Sequence, residues 1–340
     1  MSGQPAAAAD AARGTPATPP ASAVTPAHEH GSANPALIVA VLSGVLVSVQ
    51  SRLNGGLRAE LDDTLLAALV SFGGGLAVML GIVAARPASR AALRRVRAVP
   101  WPFRLGGLGG ATLVAVSAAA APVVGVALLT VGLVAGQITG GLAVDRSRLS
   151  PAGRHALSPA RLGAALICLL AVSLSAAGGE VRTAAPLLLG LVVAAGGLLS
   201  VQQALNGRVQ RDVGDTPVAT LVNFVVGTAA LLVGLAGHAV LQGVHADAWP
   251  GAGQWYLYVG GPVGAVFVAT AAVVVRRLGA LRLGLALVSG QLVGAVVLDL
   301  VVPLHARSLD PLTLVAVALT LGAVLLSGRA PAGAGRWSRR

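Results

Sequence analysis

Val49-Gln50-Ser51-Arg52-Leu53-Asn54-Gly55 returns later in the chain as Val201-Gln202-Gln203-Ala204-Leu205-Asn206-Gly207, an offset of 201 − 49 = 152. The register holds without a gap from Val49 through Gly75. Within it Gln50, Asn54, Asp63, Thr64, Phe72 and Gly75 match Gln202, Asn206, Asp215, Thr216, Phe224 and Gly227. Apolar matches carry little weight in a chain this rich in Ala, Leu, Gly and Val. Asn and Phe are scarce, four of each, and two of each recur in register. A second pair of segments matches at an offset of 255 − 101 = 154, where Trp101, Gly106, Gly110, Gly125, Gly136, Gln137, Gly140 and Asp145 meet Trp255, Gly260, Gly264, Gly279, Gly290, Gln291, Gly294 and Asp299. The chain is an internal duplication.

Its composition places the duplication in a membrane. Of the 340 residues 55% are hydrophobic and only 11% charged, against about 25% charged in soluble domains. All 24 basic residues are Arg. Without Lys there is no Walker A lysine and no Schiff-base lysine, which argues against ATP-driven transport and lysine-bound cofactors within this chain. Cys168 is the single cysteine, in an apolar run, so no intrachain disulfide or Cys-based metal cluster is expected. The formal charge of +12 lacks the aromatic-interleaved patch of a nucleic-acid surface. No nucleic-acid partner and no cofactor are expected, and the charge reads as a topology signal.

Ten apolar stretches approach the roughly 20 residues needed to cross the hydrocarbon core. They run over about 35–53, 64–85, 104–120, 122–143, 160–177, 185–205, 216–240, 255–275, 280–302 and 309–328. Pro122 supplies the break between the third and fourth, because it cannot donate to a helix ladder. Residues 1–33, rich in Ala, Pro, Thr, Ser and Gly, read as a disordered cytoplasmic tail without the features of a secretory signal. His28 and His30 in that tail form a His-Glu-His triplet, read as solvated side chains in preference to a metal site. Residues 34–178 form the first five-helix repeat, 183–328 the second, and 329–340 a basic cytoplasmic tail.

Arginine placement tests the count, since cytoplasmic loops carry the excess of positive charge. With the amino terminus inside, twenty of the 24 Arg fall on the inner side and four, Arg52, Arg58, Arg182 and Arg307, on the outer. Both termini are then cytoplasmic, in a multi-pass protein of the plasma membrane. Five crossings per unit is an odd number, so the two copies lie in opposite orientations, an inverted repeat with its pseudo-two-fold axis in the membrane plane. The expected fold is all-α and polytopic, ten transmembrane helices in two inverted five-helix repeats.

The polar residues inside the apolar runs are the candidate site. Gln50 and Asn54 share a helix face, as do Gln202 and Asn206. Amides in hydrocarbon must find partners, so these faces point into the bundle or into a wet cavity. Gln50, Gln137, Gln202 and Gln291 are candidates to line a substrate path, with interhelical hydrogen bonding as the alternative. Asn54 and Asn206, each followed by Gly, read as helix-ending and structural. Gly136, Gly140, Gly290 and Gly294 form small-residue spacings for close helix packing. Asp145 and Asp299 are carboxylates at the deep ends of apolar runs, on opposite faces of the membrane. Proton coupling is the sharper reading for them, Asp299 ahead of Asp145, and a solvated helix end the plainer one. His155, His238, His245 and His305 lack metal spacing, and no nucleophile elbow or zinc motif is present. No enzyme chemistry is expected.

The Gln-x-x-x-Asn-Gly segment, the Val-Ser/Asn-Phe helix and the Gly-Gln-x-x-Gly helix ending in Asp resemble YdcZ-type membrane proteins of the drug/metabolite transporter (EamA-like) superfamily, over about residues 35–328. Many members of that family are single five-helix units, so this chain looks like a fused pair. The resemblance implies that helices one, three, four, six, eight and nine enclose a central cavity, with five and ten at the periphery. It also points to export of a small metabolite or toxic compound. Two departures stand out. The family's Ala-Pro-Arg-Leu-Gly is split, the first copy keeping Ala121-Pro122 and Gly125, the second Arg277-Leu278-Gly279. The His that often follows the family's Asp is Arg146 in one copy and Leu300 in the other.

The function expected is a secondary transporter, an exporter of a small solute, working by alternating access between inverted repeats. A non-transporting membrane scaffold or sensor is the alternative, and a channel is disfavoured by the lack of a carboxylate ring or carbonyl-rich filter. The expected partners are the lipid bilayer, a small-molecule solute and a proton or other coupling ion. Homodimerisation stays open at this point, as do the solute and the direction of transport.

Overall fold

The computed structural model describes residues 35–147, 149, 159–177, 185–242, 249–302 and 311–329. The tail 1–33 with His28 and His30, the residues after 329, and His155, His245 and His305 lie outside the described residues. Among the described residues the chain is helical, with no strand. Eight long helices carry the spans: α1 Pro35–Leu61, α2 Thr64–Ala85, α5 Gly106–Arg146, α6 Pro159–Ala177, α7 Ala185–Val213, α8 Thr216–Gln242, α9 Gly260–Val301 and α10 Pro311–Arg329. Two short helices, α3 Pro87–Ala92 and α4 Trp101–Arg104, lie between α2 and α5. Among the described residues five stretches are long and apolar enough to cross a membrane by themselves, Pro35–Leu61, Thr64–Ala85, Trp101–Val144, Pro186–Val213 and Thr216–Leu241, with shorter apolar helices at Ala286–Val301 and Leu314–Ala323.

Ten crossings arise from eight helices because α5 and α9 each fold back on themselves. A straight helix of 41 residues would be about 60 Å long. The contacts of α5 forbid that. From Gly106 to Gly110 its neighbours on α7 step backwards, from Asn206 to Gln202 and Leu198, and from Gly132 to Gly140 they step forwards, from Val192 to Gly197. Both arms therefore lie along one short stretch of α7 in opposite directions. The reversal is at Gly125, with φ 78° and ψ 163°, a region that only glycine enters at little cost. Pro122 is thus not the break the sequence implied. It sits inside the first arm, whose turn needs a positive φ that proline cannot take. The contacts of α9 repeat the pattern, with Gly260 and Gly264 against Asn54 and Gln50, and Gly290 and Gly294 against Val41 and Val45.

The two halves are therefore interlocked. Helix α1 lies along both arms of α9, and α7 along both arms of α5, while α2 packs on α8 and α6 on α10. Every one of these pairs joins one half of the sequence to the other. A Cβ at Gly136 would overlap the Val193 carbonyl, and one at Gly290 would overlap that of Val41, its counterpart. With lipid on one side and side chains on the other equally apolar, such backbone approach is what holds helices together in a bilayer.

The helix ends differ from the sequence expectation. Helices α1 and α7 continue through Asn54-Gly55 and Asn206-Gly207 and stop at Leu61 and Val213. They end at Asp62 (φ 50°) and Gly214 (φ 71°), matched positions in the two copies. The next residues restart the chain as helix caps. Asp63 accepts the Leu65 and Leu66 amides at 2.7 and 2.9 Å, and Asp215 that of Val218 at 3.0 Å, the arrangement that satisfies a helix's first N–H groups. Past Asn54 the segment Leu57-Arg58-Ala59-Glu60-Leu61 is made of good helix formers, so the helix outruns its apolar stretch. Arg58, beyond the expected end of the first span, accordingly belongs to α1 with Arg52.

Candidate functional site

At the centre of the bundle Phe72 of α2 meets Phe224 of α8, with ring centroids 5.1 Å apart and planes inclined at 51°. They are the same residue in the two copies. Each ring lies where a Cβ on the other half's glycine, Gly227 or Gly75, would otherwise sit. Two equivalent residues touch each other only near a symmetry axis, so this pair marks the pseudo-two-fold.

On one side of the axis the amides are joined through Asn223, while Gln202 Oε1 stays buried without a partner. Gln202 Nε2 donates to Asn223 Oδ1 at 2.9 Å and Asn206 Nδ2 donates to the same oxygen at 3.1 Å. Gly106 and Gly110 of α5 pack directly over Asn206 and Gln202. The other copy has Ser71 where Asn223 stands. There Asn54 and Gln50 lie against Gly260 and Gly264 in the same way, but Asn54 Oδ1 and Ser71 Oγ are buried without a hydrogen-bond partner. Asn54 is 1% exposed, so this is an unfilled network in the interior. The sequence pointed to the Gln and Asn positions and passed over Ser71 and Asn223. Their only signal was the single polar residue before each matched Phe.

Gln137 and Gln291 lie in the second arms of α5 and α9, where the backbone is fixed by matched bonds. Ser200 Oγ donates to the Gln137 carbonyl at 2.8 Å and Ser48 Oγ to the Gln291 carbonyl at 2.7 Å. These serines hold α7 and α1 in register with the glycine contacts beside them. The Gln137 side chain is half-buried and that of Gln291 is 3% exposed. Gln137 Nε2 and Gln291 Oε1 have no protein partner. Two mid-span amides therefore keep hydrogen-bonding capacity inside the bundle, which in hydrocarbon calls for a polar ligand or water.

Asp299, in the last turns of α9, reaches the reversal in α5. Its Oδ1 accepts the Val126 amide at 3.2 Å and its Oδ2 the Ala127 amide at 2.7 Å. The second arm of α5 begins there, so its exposed N–H groups and positive dipole end are met by a carboxylate. On the same face Gly55 of α1 packs against Ala121 and Pro122. Three elements, α1, α5 and α9, thus close together at this end. Asp145, the counterpart of Asp299, lies in the last turn of α5, and its side chain lies outside what is described.

Arg52 was missed as a site residue because the sequence read it only as one of the four outer-side arginines of the charge count. Its position in α1 borders a cavity of about 420 Å³ lined by Leu53, Glu60, Tyr256, Leu257 and Leu298 among others. The Asp299 carboxylate and Tyr256 lie within its electrostatic range, and its buried Nη1 has no acceptor. The readable signal was an arginine inside the repeat motif whose counterpart in the second copy is Ala204.

The comparisons with known proteins agree with this architecture. A family model described as "Putative inner membrane exporter, YdcZ" matches residues 35–174 and again residues 187–326. A solved structure described only as "Crystal structure of protein" is similar in fold, at 23% identity and a TM-score of 0.53, covering 86% of this chain and 94% of that one. Among curated proteins none matches the chain. The two family matches fall one on each half and together take in most of the sequence, so the chain belongs to the YdcZ family of the drug/metabolite transporter type, as a two-unit multi-pass membrane protein.

Proposed function

We propose that the chain is a secondary transporter that moves a small solute outward by alternating access between its two inverted halves. The observation that carries this reading is the reciprocal interlock, α1 along both arms of α9 and α7 along both arms of α5. The glycine contacts of one half have inverted counterparts in the other, so a rocking motion that opens one face has an equivalent that opens the opposite face. The excess of Arg argues for a cytoplasmic amino terminus and α2–α5 connection, with the Asp299 end outside. The unpartnered amides of Gln137 and Gln291 supply polar contacts along the path.

Asp299 is the proposed coupling group. As a carboxylate it holds the start of the second α5 arm. A proton on it removes the negative charge that the helix end favours and turns one oxygen from acceptor to donor, which releases the arm. The charged group within electrostatic range of it is Arg52 from α1. The test begins with a thermal-shift screen of the purified chain against small organic anions, cations and zwitterions. Flux of the stabilising compound is then followed in proteoliposomes with an imposed pH gradient. Flux that stops when the gradient is dissipated supports coupled transport. A chain that binds the compound but moves none of it is a scaffold or sensor.

A further inference from the structure

We infer that the cavity beside Arg52 is a binding site for an amphipathic organic monoanion. This deepens the transporter reading by naming a class of solute, and it rests on that reading only for the claim that the anion is carried. Among the described residues one cavity, between α9 and α10, is lined by apolar residues throughout, and another contains Arg52. The second, at about 420 Å³, is within the 300–1,000 Å³ or so typical of small-molecule sites.

Arg52 is not required by the fold. The same position in the second copy is Ala204, and α7 forms there with the same contacts to its partner arms. A guanidinium within an apolar span costs several kcal/mol unless it is paired, so an arginine kept in one copy alone needs another purpose. The Asp299 carboxylate is within electrostatic range of Arg52, but its hydrogen bonds go to two backbone amides of α5. Among the described residues no acid lies within ion-pair distance of Arg52, and Nη1 is buried with no acceptor. A planar guanidinium with free donors fits a carboxylate, sulfonate or phosphate monoester in a bidentate pair.

The walls set the remainder of the ligand. Leu53, Leu257 and Leu298 supply apolar surface, and Tyr256 an aromatic face with a hydroxyl. Glu60, two turns further along α1, lines the rim and is exposed. A second negative charge on the ligand would meet Glu60 at the cavity wall, so the site selects one charge over two. The ligand is therefore a single anionic head carrying an aromatic or branched apolar body.

The probe is 4-phenylbutyrate, compared with its neutral amide and with the dianion phenylsuccinate. Binding to the full chain in detergent is read by tryptophan fluorescence, with Trp255 next to Tyr256 as a local reporter, and by thermal shift. The expected result is saturable binding of phenylbutyrate, at least tenfold weaker binding of the amide and the dianion, and at least tenfold loss in Arg52→Gln, with part of the affinity retained in Arg52→Lys. Unliganded unfolding temperatures show whether Arg52→Gln is folded. If it is not, Arg52→Lys and the acid-to-amide ratio decide. Equal binding of acid and amide, or unchanged binding in a folded Arg52→Gln, overturns the inference, since the probe then partitions into apolar surface alone. Repeating the titration in nanodiscs with and without phosphatidylglycerol separates a lipid headgroup from a soluble solute as the natural source of the anion, and competition or its absence both uphold a monoanion site. Binding without flux in proteoliposomes keeps the site and removes the transporter. Flux of another solute with no phenylbutyrate binding does the reverse.

Discussion

Asp299 accepts the backbone amide of Ala127 at 2.7 Å across 172 positions of sequence, and so joins the end of α9 to the start of the second arm of α5. Replacing a capping acid by Ala costs about 0.5–2 kcal/mol in helices generally. Asp299→Ala is expected to destabilise the fold in detergent by an amount in that range, read as a lowered unfolding temperature. Asp299→Asn keeps one acceptor and is expected to lose less stability while losing gradient-driven flux. Unchanged flux in a folded Asp299→Asn removes the residue from coupling.

Gly125 has φ 78°, and a Cβ there would lie 3.2 Å from Asp299 Oδ2. Strained backbone of this kind costs on the order of 1–3 kcal/mol. Gly125→Ala is therefore expected to destabilise by that amount. Gly81→Ala, where an added Cβ meets nothing, is expected to gain up to about 1 kcal/mol from helix propensity. Thermal unfolding of both variants in one detergent checks the contrast.

Asn223 accepts from both Gln202 and Asn206, while Ser71 at the equivalent place leaves Asn54 Oδ1 unpartnered. Buried hydrogen bonds in membrane proteins contribute about 0.6 kcal/mol on average and up to about 1.7. Asn223→Ser is expected to cost about 1–2 kcal/mol, and Ser71→Asn to stabilise by about 0.5–1 kcal/mol. Opposite signs in unfolding assays are the signature of a transplantable network. Destabilisation by both places the difference in packing instead.

Gly136 and Gly290 make the same contact in the two halves, each against a carbonyl of the opposing helix. Gly136→Val and Gly290→Val are each expected to prevent the helices from closing, with loss of monodisperse protein. Recovery of folded protein from one variant but not the other shows that the halves do not share the packing load.

The proposed orientation places exposed Ala91 and exposed Ala252 on opposite faces. Cysteine at Ala91 is expected to react with a membrane-impermeant maleimide only from the cytoplasmic side, and cysteine at Ala252 only from outside. Cys168 is buried and stays silent. Labelling of both from one side excludes an odd number of crossings per half.

Much of the architecture is legible in the amino-acid sequence. The matched Asn54 and Asn206, and Phe72 and Phe224, disclose the duplication because scarce residues rarely recur in register by chance. The apolar lengths and the Arg distribution point to ten crossings. The candidate amides stand out as polar residues in apolar runs, but what each one touches does not. Gln202 and Asn206 meet at Asn223, from a different helix, and Ser71 differs from Asn223 only in the context of that meeting.

What the sequence determined by itself was whatever depends on counting along the chain: helicity, membrane insertion, the repeat, and an odd number of spans per repeat that inverts the second copy. Only the tertiary structure decided that α1 and α7 run on through their Asn-Gly pairs, that α5 turns at Gly125 and not at Pro122, and that Arg52 faces a cavity. It alone brought Asp299 to Ala127. The physical reason is that hydrophobicity and charge are properties of a segment, read locally. The rotation of a helix about its axis, the partner of a carboxylate and the exact residue of a reversal are fixed by neighbours from about sixty to more than two hundred residues away, through contacts that no local pattern encodes.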